Sequence, residues 1–109
     1  MLAYKAPMTK NYRTIFEEKV SLTDEKWNHV THKHPEVKKF SNRIREVLGL
    51  PDIVKISKRD SGVHLYYKFY KDIFGGKFLL VITNSEKKII VTAFITDKIK
   101  VGEVLWQKK

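Results

Sequence analysis

Cysteine is absent from this chain, which excludes disulfide bridges and thiolate-bound metal and fits a reducing compartment. The cytoplasm is therefore the expected location. Long apolar runs are also missing. The longest, Phe78 to Ile82, is five residues, against the roughly 20 that a membrane-spanning helix needs. The opening Met-Leu-Ala-Tyr-Lys-Ala-Pro carries no apolar signal core, so no membrane partner is expected. Acidic residues are in deficit, 12 against 22 Lys and Arg, leaving a formal net charge of +10. A surface of that sign attracts polyanions, because neutralising phosphates releases their condensed counterions. Composition alone leaves a second reading open, in which the cations only solubilise the fold.

Repeats, linkers and low-complexity tracts are lacking as well, and 42% hydrophobic with 31% charged residues is a globular balance. With 109 residues the chain suits one compact domain with its own core. Residues 1–13 hold two Lys, one Arg and one Pro without clear periodicity, and are expected as a basic arm or irregular start. The single domain then covers residues 14–109.

Periodicity divides that domain into helical and extended halves. A short strand is expected within Ile15 to Leu22. Ser21, Thr23 and Asp24 supply helix-starting chemistry, with Ser21-x-x-Asp24 like a capping box. The first helix should begin near Thr23 and put Trp27, Val30 and Thr31 on one face, turning His29, His32 and Lys33 away. Pro35 interrupts it and opens a second helix with the stripe Val37, Phe40, Ile44, Val47 and Leu48, ended by Gly49. Beyond Pro51 the period becomes that of strands, through Ile53–Ser57, Val63–Tyr70, Phe78–Thr83 and Ile89–Thr96, with turns at Gly62, Gly75-Gly76 and Asn84-Ser85. Connections this short favour antiparallel neighbours. The expected fold is α+β, two N-terminal helices packed on a four- to five-stranded antiparallel sheet. Alternation in the second strand sets His64, Tyr66, Lys68 and Tyr70 on one face, expected to be wet.

Three of the four histidines fall within six residues, in His29-Val30-Thr31-His32-Lys33-His34-Pro35-Glu36. Imidazoles exchange protons near neutrality and a carboxylate such as Glu36 can orient one. Metal-independent RNA cleavage needs one group to remove the 2′-hydroxyl proton, another to protonate the 5′ oxygen, and cations for the charge on phosphate. Two other readings compete. His29 and His32 would simply be solvated, or His-x-x-His-x-His would bind zinc, although Pro35 breaks the geometry that ligation demands. Tyr66 and Lys68 suit base stacking and phosphate contact, or equally cross-strand pairing on an exposed face. Lys55, Lys58 and Arg59 read as a phosphate clamp or a solvated edge, the edge being favoured for Lys55. Thr92, polar within an apolar run, would aim a hydroxyl at the site, although threonine is also a good strand former. Trp27 and Trp106 are expected in or beside the core.

Four ordered motifs, Leu22-Thr23-Asp24-Glu25-Lys26-Trp27-Asn28-His29-Val30, Lys33-His34-Pro35-Glu36, Leu50-Pro51-Asp52-Ile53-Val54 and Ile90-Val91-Thr92-Ala93-Phe94, make the chain resemble the phage-associated barnase–EndoU–colicin–RelE-like (BECR-fold) nucleases over about residues 20 to 96. That resemblance implies a helix-then-antiparallel-sheet domain cleaving RNA without metal or other cofactor, often as a toxin restrained by a partner, here an acidic antitoxin or immunity protein. It points to His29 and His34 as the proton-transfer pair, Glu36 as orienting carboxylate and Thr92 as helper. Lys33 stands where the pattern has arginine, and a lysine cannot form arginine's planar fork with phosphate. With Lys33, the residues Tyr66, Lys68 and Arg59 complete the expected substrate contacts. The competing function is a basic nucleic-acid-binding module or regulatory subunit without catalysis.

Overall fold

A computed structural model describes residues 8–109. Strands β1 (Thr9–Arg13) and β2 (Lys19–Thr23) lead into α1 (Asp24–Lys33), a 3-10 helix (Pro35–Arg43) and α2 (Ile44–Gly49). Strands β3 (Ile53–Ile56), β4 (Val63–Tyr70), β5 (Lys77–Asn84), β6 (Ile89–Thr96) and β7 (Val104–Gln107) follow. Among the described residues they form one seven-stranded sheet, ordered β1-β2-β6-β5-β4-β3-β7.

This architecture overturns the expected two helices on a four- to five-stranded antiparallel sheet. The sheet is larger and mixed, since β2 meets β6 in parallel at Ser21 opposite Ile89. The segment expected as an arm contains β1, which pairs with β2 from Thr9↔Thr23 to Arg13↔Lys19 and buries Tyr12. The rest of that segment, residues 1–7, lies outside the described residues. Most of the expected second helix is 3-10, broken by Phe40 at φ −110° and ψ 16°. The stripe still turns inward on both sides of the break, Val37 and Phe40 in the 3-10 turns and Ile44, Val47 and Leu48 in α2.

Helix α1 starts where the side chain of Thr23 accepts a hydrogen bond from the Lys26 N–H at 3.0 Å, satisfying an otherwise orphan donor. Ser21 belongs to β2 instead. The helical layer covers one sheet face, enclosing Tyr12, Val20, Leu22, Val54, Tyr66, Leu79, Val81, Ile90 and Ala93 with Val30, Val37, Ile44, Val47 and Leu48. A smaller cluster of Ile53, Leu65, Tyr67 and Leu80 occupies the opposite face. The connection across residues 97–103 straps part of that face. Ile99 packs on the cluster, the Lys100 N–H donates to Tyr67 Oη at 3.2 Å, and the Ile56 N–H donates to the Glu103 carbonyl at 2.9 Å.

No helix of the described residues is long and apolar enough to cross a membrane.

Candidate functional site

Residues directly opposite in paired strands share a face, so the register orders the face away from the helices into rows. One row runs Lys55–Leu65–Ile82–Thr92 and the next Ile53–Tyr67–Leu80–Phe94. Thr92 reaches this face because of a bulge: Ile82 pairs with Thr92 but Thr83 pairs with Ile90, which leaves Val91 as the extra residue. Plain alternation would have put Thr92 beside the buried Ile90.

At the β3 margin a pocket of about 380 Å³ has Val63, Leu65 and Ile82 along its floor. Lys58 and Arg59 of the β3–β4 turn and Lys100 and Val101 of the strap form its walls, and Lys55 lines it too. The expected edge role of Lys55 is overturned, because β3 lies between β4 and β7. Its Nζ donates to the Gly102 carbonyl at 3.3 Å, anchoring the strap. Four cations around an apolar floor make an anion-attracting concavity, where low-dielectric walls concentrate the field.

At the β6 margin stands His34, the residue that closes α1. Its N–H donates to the Val30 carbonyl at 2.7 Å and its carbonyl accepts from the Val37 N–H at 3.1 Å. The imidazole stacks on Phe94, centroids 5.1 Å apart and planes 29° from parallel. His34 thus continues the sheet-facing stripe of Trp27 and Val30. From Lys55 to Thr92 is three strand spacings, about 14 Å.

The structure does not assemble every expected residue there. His29 is exposed, and five helical steps of 100° put it about 140° around α1 from His34. Among the described residues no hydrogen bond or ion pair joins Glu36 to either histidine, and no group of three or more potential ligands is placed to hold a metal ion. Lys33 ends α1 in solvent. Arg59 does line the pocket.

The wet placement expected for Tyr66 is corrected, and Lys68 lies on the same side of the sheet. The face holding them is the one the helices cover, so Tyr66 is 0% exposed and burial pushes its hydroxyl pKa upward. Lys68 donates to the Leu50 carbonyl at 2.7 Å, with Asp52 4.0 Å away. Its ammonium ties the chain after α2 to β4, on the side of the sheet away from the cationic pocket. Sequence reasoning missed Lys100 and Phe94. Lys100 arrives from a loop without periodicity, and Phe94 reads as one apolar residue among several.

No protein-family model, curated protein or solved structure matches this chain.

Proposed function

We propose that this protein is a metal-independent endoribonuclease, acting in the cytoplasm, whose RNA lies across the open sheet face. The observation supporting this is that one side of the sheet carries a four-cation pocket at one margin, Thr92 toward the other, and His34 stacked on Phe94 at its rim. The cations hold flanking phosphates, and the Thr92 hydroxyl donates a hydrogen bond to the phosphate under attack. One imidazole takes the 2′-hydroxyl proton as O2′ bonds to phosphorus. As the bond to O5′ breaks, that oxygen takes a proton from a protonated imidazole or from water, leaving a 2′,3′-cyclic phosphate and a 5′-hydroxyl. His34 is the first candidate for proton transfer and His29 the second, with Glu36 and Lys33 in supporting roles. An acidic antitoxin or immunity protein would neutralise such an enzyme by covering the cationic pocket.

One observation favours a second reading, a nucleic-acid-binding module without catalysis: His29 is turned away from His34. Incubation of RNA with purified protein in EDTA separates the two. Cyclic-phosphate product ends are expected, and His34→Ala should slow cleavage about a hundredfold with RNA affinity retained. RNA left intact by a folded protein that still binds it would discard the nuclease in favour of the binding module.

A further inference from the structure

Away from the pocket, the β4–β5 turn projects a phenylalanine in a conformation that side chains avoid. Phe74 has φ +46° and is 55% exposed, whereas non-glycine residues with positive φ are uncommon and bulky ones strained. Gly75 and Gly76 follow at φ +77° and +118°. The turn is nevertheless held firmly. Ile73, fully buried, plugs the core, and the Gly76 N–H donates to the Ile73 carbonyl at 2.8 Å. Asp72 accepts two hydrogen bonds from the Arg43 guanidinium at 2.9 and 2.6 Å, and that group also lies 4.7 Å from the Tyr70 ring. The anchors on both sides of Phe74 fix an apolar ring outside the core.

Cations surround this ring. Lys39 Nζ is 5.3 Å from its centroid and 5.5 Å from that of Phe40, which meets Phe74 edge-on at 6.4 Å and 85°. Lys38 and Lys71 are exposed nearby in the chain. A protein-binding patch would gain from a wider apolar surround, whereas one rigid ring bordered by ammonium groups matches a nucleobase and its phosphates. Lys39 is five residues beyond His34 on the 3-10 helix, about 10 Å at a rise of 2.0 Å per residue.

We propose that Phe74 is a stacking platform for an unpaired nucleobase, with Lys39 contacting an adjoining phosphate of the same strand. The inference rests on the RNA-binding reading and adds a base-binding subsite separate from the cationic pocket.

The test uses 2′-O-methyl RNA, which cannot be cleaved by 2′-hydroxyl attack, and a matching abasic strand, titrated into the full chain at fixed salt. Phe74→Gly removes the ring while permitting the positive φ, so the turn survives. It should weaken binding of the base-bearing strand about tenfold and leave the abasic strand unchanged, and Phe74→Tyr should restore affinity. Equal affinity of wild type and Phe74→Gly for the base-bearing strand overturns the platform but not the RNA site. An equal loss for both strands also overturns it, since the residue would then act without contacting a base. Failure of the wild type to bind either strand overturns the RNA reading and the platform together.

Discussion

Replacing Lys58 and Arg59 together with alanine should change how RNA binding responds to salt, by an amount the pocket geometry sets. Both side chains are exposed at the pocket wall. Among the described residues, the hydrogen bond that Arg59 makes uses its backbone N–H, which donates to Ser57 Oγ at 3.3 Å, and alanine keeps it. Lys55 is spared because it holds the strap at Gly102. Each phosphate neutralised on a single strand contributes about 0.7 to the slope of log affinity against log salt, so the four pocket cations account for about 2.8. Raising salt from 50 to 200 mM should then weaken the pocket's contribution roughly 50-fold in the wild type and about sevenfold in the double variant. The fall in slope of about 1.4 holds however many other phosphate contacts exist. Fluorescence anisotropy with uncleavable RNA across that range measures it, with circular dichroism confirming the fold. An unchanged slope would refute the assignment of the pocket as the phosphate site, whatever happens to affinity at one salt concentration.

Stability offers two further tests. Burial raises the pKa of Tyr12, Tyr66 and Tyr67 above the ordinary 10.0. The unfolded chain therefore ionises first, and stability present below pH 10 should decline as pH rises past it. Tyr66→Phe should flatten this decline in urea titrations, and at pH 7 it should cost less than about 1 kcal/mol, since Thr14 and Thr83 lie near Oη but neither makes a hydrogen bond of ordinary geometry to it. A neutral-pH loss above about 2 kcal/mol would show that the hydroxyl is bonded. Thr23→Ala should cost about 1 kcal/mol of unfolding free energy by removing the α1 cap, with Thr23→Ser recovering most of it. An unaltered denaturation midpoint would mean the cap contributes nothing.

Strands β3 to β6 were legible because each buries a face and is bounded by turn residues. Ile53, Val63, Ile89, Tyr70 and Thr96 all begin or end strands where the periodicity places them. Strand β1 was not, because Thr9–Arg13 buries Tyr12 alone and offers no alternation to read. Nor could local pattern show that β2 lies parallel to β6, a pairing between Ser21 and Ile89 that depends on the helical layer between them. The face assignment of β4 failed for a chemical reason. Its two sides carry Tyr66 and Tyr67, both fully buried, and a tyrosine with a lysine beside it reads as wet although the ring belongs to the core.

The site shows the same division between chemistry read from residue types and placement decided by tertiary structure. The histidine cluster marked the segment, but helix phase separates its members: His34 continues the Trp27 and Val30 stripe onto Phe94 while His29 faces solvent. Thr92 was singled out for its hydroxyl, yet only the bulge at Val91 carries that hydroxyl to the open face. The cationic pocket joins Lys55 with Lys100 because residues 97–103 must travel from β6, near one side of the sheet, to β7 at the other edge. That crossing runs over the open face and is pinned at Tyr67, Lys55 and Ile56. The same connection that completes the sheet therefore builds the pocket wall, so loosening the strap should weaken anion binding even with every cation retained.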